Sequence, residues 1–147
     1  MIELVTDANI EQAAAVHALS WRESHRAVCT EEFLTLHTAE RQRRYFQSLI
    51  ETGAAVYLLS DNGRGVGTVS VRGNLIGDLY VLPEEQRKGY GTELLRFALE
   101  RCTGVPTLWV LDHNRHAVRF SERNGFRMTG VSKELSARLA ELEMKYD

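Results

Sequence analysis

The sequence predicts an α+β fold built round a central sheet, and three observations carry that expectation. In mid-chain the hydrophobic period changes to that of strands. "AAVYLLS", "VGTVSVR" and "LIGDLYVL" follow one another with "DNGRG" and "GN" between them, the pattern of an antiparallel meander. Helix-spaced apolar residues precede this meander, and helix and strand signals alternate after it. The 147 residues, 44% hydrophobic and 26% charged, suit one folded domain with a core of its own.

The elements follow in order. "IELVT" reads as a first strand. Thr6 or Asp7 then caps a helix that carries Ile10, Ala13, Ala14, His17 and Trp21 at helical spacing. Thr30 is placed to cap a short helix, "EEFLTLH", and Thr38 a longer one, "AERQRRYFQSLIE", ended by Gly53. The meander comes next, its last strand running to Leu82. Pro83, a charged turn and two glycines lead into the helix "TELLRFALERC", with Leu94, Leu95, Ala98 and Leu99 on its apolar face. "TLWVLD" is a strand and "NRHAVRFSERNG" a helix closed by Gly125. "FRMTGVS" and "LAELEMKYD" form a closing antiparallel pair. The principal order is β-α-α-β-β-β-α-β-α-β-β. There is no repeat or low-complexity tract, and the only prolines are Pro83 and Pro106, so residues 1–147 are expected to form a single domain.

Composition excludes several classes. A net charge of −2 argues against nucleic acid or an anionic membrane as partner. The basic run Arg41–Arg44 reads as a solvated helix face. No stretch approaches a spanning helix, and the acidic "MIELVTDANIEQ" is unlike a signal peptide. Cys29 and Cys102 lack metal-ligand spacing and read as reduced thiols, so a cytoplasmic location without metal is expected.

The informative stretch is "YVLPEEQRKGYGTELLRFALER", Tyr80 to Arg101. Glycine is a poor residue for a first helical turn unless something approaches the backbone there. A helix N-terminus offers unpaired N–H groups and the positive end of its dipole, which together bind phosphate. Gly89 and Gly91 would expose those groups from Lys88 to Thr92, with Arg87 and Lys88 adding charge and Thr92 a hydroxyl. The plain alternative is a turn that only starts a helix. A P-loop is ruled out because Lys88 precedes the glycine. A dinucleotide fingerprint is ruled out because Leu94 stands where its third glycine belongs.

"QRKGYG", Gln86 to Gly91, resembles the Q/R-x-x-G-x-G/A motif of the GCN5-related N-acetyltransferase (GNAT) superfamily, placed after "DLYVLPEE" as after that family's fourth strand. Independently, "LWVLDHNRHAVRFSERNGF" is similar to its fifth strand and following helix, with Asn114, Ala117, Phe120, Glu122, Gly125 and Phe126 in position. "LSWRESHRAVCTEEFL" looks like the helical substrate-side segment of bacterial members. The resemblance covers the chain. It implies a mixed, mostly antiparallel central sheet flanked by helices, with fourth and fifth strands, Leu75–Leu82 and Thr107–Asp112, that splay apart.

The resemblance also implies roles. Acetyl-CoA would be the co-substrate, its pyrophosphate on Gln86, Arg87, Lys88, Gly89, Tyr90, Gly91 and Thr92. Its pantetheine arm would pair with the backbone of Leu79 and Val81, and an N–H near Val81 would face the acetyl oxygen. Asn114 and Phe120 would flank the arm, although Asn114 also reads as a helix N-cap. The family's acid is often a Tyr after the helix Phe, and here that position holds Ser121, a much weaker acid. For the base there are three candidates: Asp78, then Asp112, then His25. Trp21 and Trp109 read most simply as core, with Trp21 and His25 also at the substrate side.

The expected function is acetyl-CoA-dependent N-acetyl transfer, made directly to a primary amine of a small molecule or peptide. The alternatives are an acyl-CoA-binding regulatory module, which Ser121 favours, and a transferase for another acyl-CoA donor. The expected partners are acetyl-CoA and an amine acceptor, with a homodimer left open. The acceptor depends on the Ala8–Thr52 helices and on the loop after "GVSKEL", which carry no signature. Asp78, Asp112 and the acidic C-terminal stretch are compatible with a cationic amine.

Overall fold

A computed structural model describes residues 1–147. Seven strands form one sheet: β1 (Ile2–Leu4), β2 (Ala55–Asp61), β3 (Arg64–Arg72), β4 (Leu75–Val81), β5 (Thr107–Leu111), β6 (Phe126–Ser136) and β7 (Leu139–Tyr146). Their spatial order is β1-β2-β3-β4-β5-β7-β6. Every neighbouring pair is antiparallel except β4 and β5, so the sheet is mixed and mostly antiparallel as expected.

The helices are α1 (Ile10–His25), α2 (Glu31–Thr35), α3 (Ala39–Glu51), α4 (Tyr90–Leu99) and α5 (Arg115–Arg123). Three of them lie between the first two strands, where the capping signals and helical spacing place them. Thr30 and Thr38 cap α2 and α3, accepting from the N–H groups of Phe33 and Arg41 at 3.2 and 3.1 Å. The start of α1 differs from expectation: its N-cap is Asn9, and Thr6 and Asn9 spend their side chains on the turn before it. Helix α4 starts at Tyr90, two residues before Thr92, because Gly89 takes the left-handed cap conformation at φ 87°.

The sheet carries a core on each face. On one face Leu94, Leu95 and Ala98 of α4 lie fully buried against Val69, Val71, Ile76, Val110, Phe126 and Met144. On the other, Ala13, Ala14 and Val16 of α1 and Phe46 of α3 cover Val56 and Leu58. Small residues on α1 let that helix lie close to the strands. No helix is long and apolar enough to cross a membrane.

Two features of β4 set up the site. Its ladder with β5 consists of Leu75↔Thr107 alone, so the strands part beyond that pair, as the resemblance implied. On its other edge, pairing with β3 shifts register between Ser70↔Gly77 and Thr68↔Tyr80. Asp78 and Leu79 thus oppose the single residue Val69, a bulge in which Asp78 adopts φ 51°.

Candidate active site

The gap between β4 and β5 widens into a cleft of about 980 Å³. At one mouth lies the glycine turn. Arg87 (φ 68°) and Gly89 (φ 87°) are both left-handed, one residue apart, so the backbone forms a concave nest of amides. Glu93 N–H takes the Gly89 carbonyl at 3.0 Å as the first bond of α4, which leaves the amides of Tyr90, Gly91 and Thr92 without helical partners. A Cβ on Gly89 would meet nothing within 4 Å, so the space in front of the nest is open. At Gly91 a Cβ would stand 3.4 Å from the Phe120 ring, an ordinary contact. Of the two glycines, Gly89 is the one that the backbone conformation demands.

Of the residues read for this mouth, Gln86, Arg87, Gly89, Tyr90, Gly91 and Thr92 line the cleft. Lys88 does not; its ammonium pairs with Glu85 at 2.9 Å. The Gln86 amide donates to the Val81 carbonyl at 3.2 Å, fastening the turn to β4. Tyr90 Oη donates to Asp61 at 2.7 Å, and that bond pushes the phenol up to about 12. Asn114 caps α5, accepting from Ala117 N–H at 3.0 Å through Oδ1, and also lines the cleft, so both of its expected roles are open to it. Leu79, Val81, Phe120 and Ser121 line it too. Ser121 is 3% exposed and sits on α5 beside Phe120.

Beyond Leu75 the β4 edge that faces the cleft has no partner strand. Backbone groups along such an edge need a hydrogen-bonding partner. An extended amide-bearing arm meets that need, and the nest meets that of a phosphate, so the residues present fit acetyl-CoA.

The base candidates separate. Asp78 touches the cleft, but its carboxylate is spoken for. His17 Nε2–H donates to Oδ1 at 3.0 Å, Ser70 Oγ–H to Oδ2 at 2.8 Å, and Tyr45 Oη–H lies 3.0 and 3.1 Å from the two oxygens. Asp112 is exposed and outside the cleft lining, 3.8 Å from His113 Nδ1. His25 is buried and lines the cleft. Its Nδ1 lies 2.9 Å from the Trp21 carbonyl, which only accepts, so the hydrogen is on Nδ1 and Nε2 carries a lone pair. Burial lowers its pKa below the ordinary histidine value against the opposing effect of that carbonyl, and His37 adds to the lowering.

Trp21 is neither plain core nor free surface. Its indole is stacked between His25 at 3.8 Å and His37 at 3.6 Å, nearly parallel to both. Trp109 also lines the cleft. Tyr80 points to the same side, edge-on to His17 at 4.8 Å; burial, then the charge of Asp78, pushes its phenol up, so it stays a hydrogen-bond donor at neutral pH. The sequence reading missed His17, Tyr45 and Ser70 as partners of Asp78, and Ser20 and Glu141 as cleft residues. Only for Glu141 was a signal present, the alternation in "LAELEMKY".

The match to known proteins agrees with this geometry. The model of the acetyltransferase (GNAT) family matches residues 13–126. The chain belongs to that family. Its sequence matches no curated protein. Among solved structures, the PaiA N-acetyltransferase of Thermoplasma acidophilum in complex with coenzyme A is similar at a TM-score of 0.71 and 18% identity, over 99% of both chains. The ribosomal-protein-alanine N-acetyltransferase of Brucella melitensis gives 0.72 and 20%, over 99% of this chain and 98% of that one. YncA of Salmonella typhimurium, solved with its cofactor acetyl-CoA, gives 0.68 and 18%, over 100% and 92%. At these identities the likeness speaks to the GNAT fold; two of the three relatives hold coenzyme A or its acetyl ester. No group of three His, Cys, Asp or Glu side chains is placed to hold a metal ion.

Proposed function

We propose that this GNAT chain is an acetyl-CoA-dependent N-acetyltransferase that moves the acetyl group directly to a primary amine. The observation that carries the reading is the amide nest at Arg87–Thr92 opening straight into the β4–β5 cleft. Acetyl-CoA supplies an activated acetyl thioester. The nest and Arg87 hold its pyrophosphate, and the free edge of β4 at Leu79 and Val81 holds its arm in line with the cleft. An N–H near Val81 would face the acetyl oxygen, where negative charge grows during attack.

An amine arrives as ammonium and must lose a proton before it attacks. His25 is the group for that step in this reading, because it lines the cleft, holds its tautomer through Trp21, and is kept neutral at pH 7 by burial. Asp78, with its oxygens filled by three donors, positions β4 rather than taking a proton. Ser121 stands where a thiolate proton donor is expected in the family. A free thiol has a pKa of about 8.5, so the thiolate leaves tolerably without a strong acid. That same serine favours one second reading, a CoA-binding module with little transfer.

Calorimetry with CoA and thiol release with an amine panel test both readings. CoA affinity should vanish in Gly89→Glu while circular dichroism stays native, since the new carboxylate fills the open nest. Unchanged affinity in the folded variant sinks the cofactor assignment. Tight CoA binding with no thiol released by any amine selects the module.

A further inference from the structure

The cleft is lined by charges of both signs. Its lining arginines, Arg87, Arg115 and Arg123, come from the glycine turn and α5, on the α4–α5 side. Its lining carboxylates are Glu23, Asp78, Glu85 and Glu141. Three of the four are engaged. Glu23 pairs with Arg26 at 3.4 Å, Glu85 with Arg64 and Lys88 at 3.1 and 2.9 Å, and Asp78 with His17, Tyr45 and Ser70.

Glu141 is the exception. On β7, Leu142 and Met144 pack into the core beneath α4, so strand alternation turns Glu141 to the opposite face, the side of α1. It is half-buried opposite Leu111, at the end of β5. Lys133 faces it in register without forming an ion pair, whereas Glu143, one alternation along, is held by Thr129 at 2.7 Å. The charge of Glu141 is felt at Tyr80. A carboxylate that lines a cleft with no chain partner is free to receive an incoming cation.

A second observation lies in the same cleft. Ser20 of α1 is 4% exposed, lines it, and its Oγ has no hydrogen-bond partner. Trp109 adds aromatic surface, which attracts cations.

The reacting nitrogen must be neutral when it attacks, so a permanent carboxylate is of use only to a second charge. We propose that the α1-side wall of the cleft is the acceptor site, that its acceptor is a small aliphatic amine with a second positive group, and that Glu141 anchors that distal ammonium. The proposal rests on the transferase reading for the identity of the bound amine as acceptor, but the anchor itself is tested by binding alone. The step balances as R–NH3⁺ plus acetyl thioester giving acetamide, CoA thiol and one proton, which leaves through His25 to solvent; Glu141 neither gains nor loses one.

The experiment is calorimetry on the full chain saturated with CoA, using 1,4-diaminobutane, butylamine and 4-aminobutanoate, followed by thiol release with the same amines and acetyl-CoA. The diamine should bind about tenfold more tightly than butylamine, the scale of one charged hydrogen bond, and 4-aminobutanoate more weakly than either. Glu141→Gln should bring diamine and butylamine together, while Glu143→Gln should leave them apart. Should Glu141→Gln fail to fold, the ranking of the three ligands on the native chain and its loss in high salt decide the matter. No diamine binding, a preference for 4-aminobutanoate, or an unchanged preference in folded Glu141→Gln overturns the anchor. Glu141-dependent diamine binding without thiol release keeps the anchor and overturns the transferase reading.

Discussion

Replacing Asp78 with alanine removes the acceptor shared by His17, Tyr45 and Ser70. Tyr45 is 41% exposed and its hydroxyl can turn to water. His17 and Ser70, at 2% and 7%, cannot, so two buried donors are left unpaired. Each costs about 1–3 kcal/mol, and alanine at φ 51° adds about 1 kcal/mol that aspartate tolerates better. A loss of about 3–7 kcal/mol follows, which for a domain of this size lowers Tm by roughly 6–28 °C. Asp78→Asn keeps the left-handed preference and one accepting oxygen, and should lose about 1–3 kcal/mol. The assay is urea and thermal unfolding by circular dichroism, with thiol release measured in parallel. A base at this position would give the opposite pattern, with Asp78→Asn stable but inactive. A loss below about 1 kcal/mol in Asp78→Ala would refute the reasoning, because it would mean the three contacts are not made in solution.

Burial lowers the pKa of both His25 and His37 below the ordinary histidine value. The unfolded chain therefore binds more protons between that value and the lowered ones, and stability should fall as pH drops through this window and level off below it. Unfolding free energies at a series of pH values should show less of that fall in His25→Gln. At Gly67 an added Cβ would lie 2.8 Å from Leu94 Cδ1 and 3.0 Å from the Tyr80 carbonyl oxygen; Gly67→Ala should lose about 1–3 kcal/mol by overpacking, read by urea unfolding. Ser121→Ala should lower kcat by less than the ~10²–10⁴-fold of full acid catalysis with CoA affinity kept. Abolished turnover at native CoA affinity would show that Ser121 carries more of the chemistry.

What was legible in the sequence was local. The glycine turn declares itself because a left-handed cap demands glycine at a fixed place, and Thr30 and Thr38 announce helices within three residues of themselves. The meander was readable from its turns. The closing pair of β6 and β7 was readable too, but its docking through β7 onto β5 was not, since pairing across the sheet leaves no mark on spacing. Asp78 looked like a free carboxylate because its partners lie 61, 33 and 8 positions away in the chain. Trp21 looked like core because an aromatic on an apolar helix face usually is; the two imidazoles that sandwich it come from different elements. Glu141 was visible only as one charge in an acidic tail until the buried Leu142 and Met144 fixed which face it takes.

The bulge at Asp78 ties these pieces into one device. An extra residue in β4 increases its local twist, and it falls three residues after the last pairing with β5 at Leu75. Left to itself, a bulged strand with one free edge would be a soft element. Here the bulge is fixed from outside the sheet: the Asp78 carboxylate is held by α1 through His17 and by α3 through Tyr45, and its carbonyl accepts from Thr68 Oγ1 at 2.9 Å. Helices α1 and α3 thereby also set the course of the strand that borders the cleft. Width of the cleft and placement of His25 and Trp21 on α1 are coupled through one half-buried carboxylate. A change at Asp78 should therefore disturb CoA affinity and amine affinity together, whereas changes at Gly89 and Glu141 should disturb one each.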